Sequence, residues 1–500
     1  MKKTMKIFTL LLILCIAVTL FACGSDETSN NVTTPTDNND TNNNISEESN
    51  TAPEPEDIPF PHEEIPDFNG ETLKILIDRQ WSGNSLDVID YSIEEQTGDV
   101  LNDSYYMRNV LIEEMFNVKL EGVSVEEIAG PARRTIQAGI DEYIAFIPRL
   151  MNAGTFAANG YGVNVFDTNL SLDQPWWDQN IINDTSIGGA AYFFAGDIFI
   201  KHYDGIALLM FNKRLLADLQ LESPYALVRD NQWTMDKFNS MVKAATLDLD
   251  GDGAMTRYDR YGFNTQVDYV TSFINGSGEK IVTKDSNDLP VFTGNSEKIG
   301  RIIDKMLEIY TDDTYCMHRD AYNRDGGSGQ LVQFWMFPEG RALFYWAFPR
   351  YMDLGLRDME DPFGIVPIPK WDSSQDRYYA TLNNWHSYTY MMPVTVQDVN
   401  GVSILLDAMA YHGRKIIKPA YYDVCLQRKY TRDEESSEML DIIFSSTVYD
   451  LGTVYSIGEF VNAVEGDLQK NVNSVNTIYE RNIGRIERDI DRLIENFENN

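Results

Sequence analysis

Cysteine is scarce: four in 500 residues, at positions 15, 23, 316 and 425. Cys15 lies in an apolar leader and Cys23 directly after it, so only Cys316 and Cys425 remain for a folded body. That excludes a disulfide-built scaffold. Two isolated thiols in so long a chain read as small buried apolar side chains, with a bridge between them left open. Positive charge is also scarce, 41 Lys and Arg against 77 Asp and Glu, for a formal net charge of −36. Lys2, Lys3 and Lys6 fall in the leader, which has no acid, so the remainder carries 38 basic against 77 acidic residues. Such a surface repels polyanions and excludes nucleic acid as a partner. No apolar run beyond residue 23 approaches the ~20 residues that cross a bilayer. The five histidines (62, 202, 318, 386, 412) form no His-x-x-x-His pair and no HExxH. There is no G-x-S-x-G elbow, no P-loop and no G-x-G-x-x-G after a strand. No short tandem repeat occurs. The missing motifs agree with a binder, although paired carboxylates of the glycosidase kind stay open among so many acids.

The chain starts with a basic head, an apolar run from Ile7 to Ala22, and the closing stretch Leu20-Phe21-Ala22-Cys23-Gly24-Ser25. This is the pattern of a secretory signal. A small residue before a Cys resembles the bacterial lipobox, in which the Cys thiol takes a diacylglycerol and becomes the new N-terminus. Residues 1–22 are therefore read as a lipoprotein signal peptide, with Cys23 as the lipidation site. The protein is placed on the extracellular face of a bacterial cell membrane, tethered to it. From Gly24 to about Pro66 there is no Lys or Arg, and Asn, Thr, Asp, Glu and Ser dominate. Such a composition buries too little surface to offset ordering entropy, so 23–69 is read as a lipidated Cys and a disordered acidic tether.

Folded structure is expected from near Gly70, in two or three core-forming units over about 430 residues. Leu73 to Ile77 reads as a buried strand. A helix from Asn102 to Phe116 is expected to be capped by Asn102 or Asp103, with Met107, Leu111 and Met115 recurring every four residues. Strands follow at Val118 to Val125 and Tyr143 to Pro148, with a helix at Ala132 to Gly139 between them. Later strands are expected at Ala191 to Phe194, Ala207 to Phe211, Arg341 to Trp346 and Phe363 to Val366. Helices are expected at Lys213 to Leu219, Thr234 to Ala245 with Thr234 as cap, Ser296 to Tyr310, and Val402 to Tyr411. From Val475 onward, Ile478, Ile483, Ile486, Ile490, Leu493 and Phe497 recur near a 3.6-residue period, the mark of an amphipathic helix docked on the body. Alternating strands and helices imply an α/β fold with a mostly parallel sheet.

One local constellation carries metal chemistry. Asp248, Asp250, Asp252, Thr256 and Asp259 supply side-chain oxygens at positions 1, 3, 5, 9 and 12 of a loop. Gly253 falls where the chain must turn sharply, Ala254 offers its backbone carbonyl at position 7, and Met255 is the apolar residue at position 8. The spacing is that of an EF-hand-type calcium loop. Asp rather than Glu at position 12 shortens the bidentate reach. A structural Ca²⁺ is expected, neutralising the clustered carboxylates, and a regulatory switch is not, because the loop is single.

Several stretches in order resemble the extracellular solute-binding lipoproteins of ABC importers, in the maltodextrin-binding-like group of family 1. They are Asn102-Asp103-Ser104 with Glu113 to Val118; Pro175-Trp176-Trp177-Asp178-Gln179-Asn180 with Gly188-Gly189 and Tyr192 to Asp197; Phe211-Asn212-Lys213-Arg214; Gly340-Arg341-Ala342; and Gly364 to Pro369. The resemblance spans Leu73 to Glu495. It implies a two-lobed periplasmic-binding-protein-like fold of type II, with ligand in a cleft between lobes joined by hinge strands. Lobe 1 is expected over 70–195 with part of 385–430, and lobe 2 over 196–380 with 430–500, the latter holding the loop 248–259. Chain crossings are expected near 190–200 and 380–395.

The resemblance further implies a monomeric, non-enzymatic receptor that delivers a small solute, a sugar or oligosaccharide, to an ABC permease. Sugars are met by aromatic faces and planar polar side chains, on loops after strand ends. The candidate ligand residues are Trp81 after the first strand, Arg149 after the strand ending at Pro148, and His202 with Asp204 after the first crossing. Trp346 and Arg350 follow the strand from Arg341, and Trp385 sits beside His386 in the second crossing. Trp176 and Trp177 are read as packing at the edge of the lobes, and His318 and His412 as surface residues. Two other readings stand: a surface polysaccharide-acting enzyme, and a ligand-sensing adaptor for a membrane kinase.

Overall fold

The computed structural model describes residues 58–79, 91, 93–266, 269–310, 314–318, 321–322, 333–356, 359–426 and 434–499. The leader, Cys23, the tether up to residue 57 and Trp81 lie outside them. The chain divides into Met1–Ile58 and Pro59–Asn500, and the second unit is described here.

The first lobe is built on β1 (Glu71–Asp78), whose second half is fully buried. It pairs in parallel with β2 (Val118–Val125) on one side and β3 (Ala145–Ile147) on the other. Between β1 and β2 runs helix α1 (Val100–Phe116). Its cap is Asp99, whose carboxylate accepts from the Leu101 and Asn102 amides at 3.1 and 3.0 Å. Asp103 is not the cap, because its carboxylate turns back to the amides of Thr97 and Gly98, at 2.8 and 3.2 Å. The buried face also differs from the expected one: Met107 and Leu111 are exposed, while Tyr105, Arg108, Ile112 and Phe116 point inward. Burying Arg108 is tolerable because Nη1 donates to the carbonyls of Ile198 and Met409. The rings of Tyr91 and Tyr105 also lie 5.3 and 5.5 Å from its guanidinium, where their faces attract the cation. Helix α2 (Ala129–Ala138) leads to β3, and α3 (Leu150–Ala158) follows it. The sheet is extended by single antiparallel rungs, Phe146 with Met391 and Phe194 with Tyr390, so 191–194 contributes one rung rather than a full strand.

The second lobe holds β4 (Leu208–Asn212), β5 (Tyr261–Thr265), β6 (Cys316–His318), β7 (Ala342–Ala347) and β8 (Phe363–Val366), in the order β8-β4-β7-β5-β6. This sheet is mixed, because β4 runs antiparallel to both neighbours whereas β7, β5 and β6 are parallel. β4 leaves the hinge and β7 returns toward it, which fixes their opposite directions. Helices α4 (Lys213–Asp218), α5 (Met235–Ala245), α6 (Val270–Gly276), α7 (Glu297–Tyr310) and α8 (Pro349–Gly355) complete the lobe. Thr234 caps α5 through the Lys237 amide, as its sequence position suggests. The core is aromatic, with Phe238 5.2 Å from both Phe263 and Phe344. Cys316 is buried here, and so is His318, stacked on Tyr310 at 4.7 Å. The surface position expected for His318 is thus corrected: it lies on an edge strand whose residues are all buried, with Tyr310 of α7 covering its ring.

Three chain segments cross between the lobes side by side. The Ala207 amide donates to Thr381 O at 2.8 Å, and the Asn383 amide to Gly205 O at 2.9 Å. Strand β9 (Ala380–Thr381) pairs in parallel with β10 (Thr447–Val448). Packing is so close that a Cβ on Gly205 would meet Ser387 Oγ at 2.2 Å. Beyond the crossings lie α9 (Val399–His412), α10 (Glu434–Ser445), α11 (Leu451–Val454), α12 (Phe460–Leu468) and α13 (Val475–Asn499). The last is the amphipathic helix expected from the tail's spacing, with Ile478, Ile486, Leu493 and Phe497 buried.

Residues 59–69 already belong to the ordered body, ahead of Gly70. His62 Nε2 lies 2.7 Å from an Asp407 oxygen, and Phe60 packs on Tyr411 with ring centroids 5.3 Å apart. Composition reads this stretch as tether because it cannot register two side chains that dock on a distant helix. Asp407 of α9 is fully buried and collects four donors. Its Oδ1 accepts from the indoles of Trp176 and Trp177, each at 2.8 Å; its Oδ2 accepts from the Ser171 amide at 3.0 Å and faces His62. The two tryptophans thus serve packing. Each donor left buried and unmatched costs about 1–3 kcal/mol. Asp407→Ala is therefore expected to destabilise the protein by about 3–5 kcal/mol in urea unfolding, while Asp398→Ala at the exposed start of the same helix costs only about 1 kcal/mol.

Candidate ligand-binding cleft

The crossings leave a cavity between the lobes. Residues 381–385 of the second crossing form its floor, Met151 of α3 one wall, and Thr271, Ser272 and Trp346 the opposite wall. The last side comes from 452–465, the end of α11 and the start of α12. The cavity lies where β7 ends, β3 passes into α3 and the chain changes lobes, the place where α/β sheets expose ligand-facing loops.

Trp385 is half exposed, and the Arg149 guanidinium lies 5.4 Å from its ring centroid. Arg149 is itself buried and held by Asp78, Nε to Oδ2 at 3.0 Å, with Asn152 Nδ2 on the same oxygen at 3.0 Å. Trp385 is thus a supported aromatic shelf. Beside it, Asn384 Nδ2 donates to Thr453 O at 2.8 Å, which fixes the amide's orientation. Asn384 Oδ1, Thr453 Oγ1 and Arg149 Nη1 are buried and have no hydrogen-bond partner among the described residues. Asn384 and Thr453 line the cavity, so two of these atoms belong to residues beside which a polar ligand would sit. Across the cavity, Trp346 is almost wholly buried, and its Nε1 donates to Ser272 Oγ at 3.2 Å.

Trp346 and Trp385 line the cavity, and Arg149 backs Trp385. Arg350, in the first turn of α8, faces His386 closely enough to depress its pKa. His202 and Asp204 are buried in the first crossing and do not line the cavity. His202 Nδ1 donates to Tyr388 O at 2.9 Å and its Nε2 lies 2.7 Å from Tyr449 Oη, while Tyr421 Oη donates to Asp204 Oδ1 at 2.8 Å. Trp81 lies outside the described residues. Sequence reading missed the whole contribution of 452–465, because the strand ahead of it, β10, is only two residues long and leaves no alternating pattern to read. The only available signal was Asn383-Asn384 beside Trp385, two planar polar side chains next to an aromatic one.

An acid and a histidine at the crossings carry shifted pKa values. Burial alone would raise the Asp178 carboxyl, but donors from His202, Tyr449 and the Asn180 amide hold it below the usual carboxylate range. His386 is pushed down to about 3, first by burial and then by the charges of Arg350 and Arg149. With a folded value near 3 and an ordinary value of 6.5, the unfolded chain binds the extra proton in between. Stability therefore falls as pH drops through this window. His386→Gln is expected to lose about 2 kcal/mol less than the unmutated protein between pH 7 and pH 4.5, read by urea unfolding at each pH.

In the metal loop, Asp248, Asp250 and Asp252 bring one carboxylate oxygen each within 4.8 Å of one another. Gly253, at φ +86, makes the sharp turn, with its amide donating to Asp248 Oδ2 at 2.8 Å. Asp259 is buried and accepts from the Leu249 and Thr256 amides, both at 2.8 Å. Met255 packs against the cluster of Tyr261, Met317 and Met336. Rungs between Leu247 and Arg260 close the loop directly into β5. Since β5 runs parallel to β7, the loop sits at the far end of the sheet from the cavity.

No protein-family model matches the chain, and no curated protein matches it by sequence. Solved structures do match in fold. A sugar transporter from Rhizobium etli in an open conformation aligns at 12% identity and a TM-score of 0.54, over 85% of this chain and 99% of its own. An ABC transporter solute-binding protein from Agrobacterium radiobacter, in complex with ribitol, aligns at 14% identity and 0.52, over 84% and 100%. An ABC substrate-binding protein from Listeria monocytogenes, in complex with cycloalternan, aligns at 11% identity and 0.51, over 86% and 98%. The α/β body with its inter-lobe cavity has the two-lobed periplasmic-binding-protein-like fold of these ABC-transporter solute-binding proteins.

Proposed function

We propose that the chain is an extracellular receptor that captures a small polyhydroxylated solute, a sugar or oligosaccharide, and delivers it to an ABC importer. The observation that carries this reading is the Trp385 shelf beside the unpartnered Asn384 Oδ1 and Thr453 Oγ1. A sugar ring offers an apolar face for the indole and hydroxyls for the amide and threonine. Because the walls belong to different lobes, a bound ligand touches both and favours the closed arrangement by differential affinity. The matching folds belong to binding proteins, not enzymes, which supports a receptor. No helix among the described residues is long and apolar enough to cross a membrane. Attachment is assigned to a lipid on Cys23.

Thermal unfolding of the mature chain with ribitol, maltotetraose and cycloalternan is the direct test. Saturation at 100 times Kd should stabilise by about 2.7 kcal/mol, seen as a Tm rise. Trp385→Ala and Asn384→Ala should each weaken binding by about tenfold, the value of one stacking or hydrogen-bonding contact. A wide panel of sugars and sugar alcohols that leaves Tm unchanged overturns the reading. In the host, Cys23→Ala should release the protein into the medium.

The loop 248–259 is proposed as a structural Ca²⁺ site held by Asp248, Asp250 and Asp252, with Ala254 O, Thr256 and Asp259 completing the set. The three converging carboxylates fit a hard divalent cation, and the position next to β5 suits a strand anchor rather than a ligand site. Millimolar Ca²⁺ should raise Tm in the unmutated chain and not in Asp248→Ala or Asp252→Ala. An unchanged rise in both variants moves the ion elsewhere.

A further inference from the structure

We propose that the last helix, α13, belongs to the binding apparatus, with Asp489 and Arg485 as positioning residues that hold a strained turn against the cavity. The inference rests on the receptor reading and extends it to side chains that do not touch the ligand.

The turn is 456–459, between α11 and α12. Ser456, Gly458 and Glu459 all have positive φ, at +52, +62 and +50. Two of them carry side chains, for which this region is uncommon. Backbone held in such a conformation persists only where its surroundings over-determine it, and it clusters at ligand clamps. Ser456 and Glu459 line the cavity, and so do Phe460 and Asn462 immediately after. The strained segment is therefore one that presents polar groups to the cleft, through Ser456 and Glu459.

What over-determines the turn is α13. The Gly458 amide donates to Asp489 Oδ2 at 2.9 Å, and Asn482 Nδ2 donates to Gly458 O at 3.3 Å. Arg485 Nη2 donates to Glu459 Oε1 at 3.2 Å. Ile486 closes the remaining space, since a Cβ on Gly458 would lie 2.3 Å from its Cγ1. Gly458 is thus required twice, by its φ and by the helix pressed onto it.

The helix is anchored to both lobes. Asn473, just ahead of it, donates to Gly300 O and Asp304 Oδ1 of α7 in lobe 2, at 2.8 and 2.7 Å. At its other end Phe497 packs edge-on against Tyr192 of lobe 1, with centroids 5.0 Å apart. A helix tied at both ends sets where the turn stands relative to either wall of the cavity. Preorganising a contact in this way raises affinity by removing the cost of ordering it at the moment of binding.

The test compares Asp489→Ala with Asp489→Asn, whose Oδ1 can still accept from the Gly458 amide. Calorimetric titration uses ribitol, maltotetraose and cycloalternan, and hydrogen exchange follows amides 456–462. Asp489→Ala should weaken binding by about tenfold or more and speed exchange in the turn by about as much. Asp489→Asn should restore both to within about threefold, and Tm should fall by no more than a few degrees in either variant, since Asp489 is only partly buried. Unchanged affinity in Asp489→Ala overturns the proposal, as does an equal loss in Asp489→Asn or a loss that simply tracks a collapsed Tm. If neither the three probes nor the wider panel of sugars and sugar alcohols binds the unmutated chain, the ligand role falls together with the receptor reading. Unchanged exchange in Asp489→Ala overturns the clamp independently of any ligand.

Discussion

The arrangement of the lobes depends on one buried set of hydrogen bonds at the crossings. His202 on the first crossing reaches Tyr388 O on the second and Tyr449 on the third. Tyr449 Oη donates to Asp178 Oδ2 at 2.7 Å, and Thr447 Oγ1 lies 3.2 Å from the same oxygen. Three segments far apart in sequence are thereby joined through one carboxylate and one imidazole. Inside a protein such a network is strong when every member is satisfied and costly when one is missing. It holds the crossings in a fixed order, so that the floor of the cavity, residues 381–385, emerges between a wall from each lobe.

The same device recurs at two further buried acids. Asp407 collects two indoles, a backbone amide and His62; Asp450 accepts from the amides of Ile281, Val282 and Gly452 and from Asn275 Nδ2. At these two carboxylates neutral donors outnumber charged ones, whereas buried Asp78 is paired with Arg149 and buried Asp197 with Arg414 and Lys418. Burial still raises the Asp450 carboxyl despite these donors, so they offset the cost of burial only in part. Each cluster ties together segments from different parts of the chain, so local order and lobe geometry are set by the same bonds.

The cleft inherits its character from this scaffold. Arg149, fixed by Asp78, supports the Trp385 shelf, and the second crossing carries Asn384. The tail of the chain supplies the remaining side through a turn in a conformation that it would not adopt unaided. A receptor that closes on its ligand gains from contacts that are ready beforehand on both walls.

Much of the architecture was legible in sequence. Buried strands such as β1 and β4, the capped helix after Thr234, the 3.6-residue spacing of α13 and the acidic loop 248–259 each depend on neighbours in the chain, and local pattern reports them faithfully. Trp346 and Trp385, which line the cavity, stand out in the sequence because they follow a strand end and a crossing. Tertiary structure alone decided the rest. It turned α1 so that Arg108 is buried and Met107 exposed, made His202 and Asp204 part of the crossings, docked His62 on Asp407, and brought residues 452–465 to the cavity. Periodicity records which side chains share a face. It holds no record of which distant carbonyl, carboxylate or ring will meet that face, and those partners determine whether a polar side chain is buried, exposed or left available to a ligand.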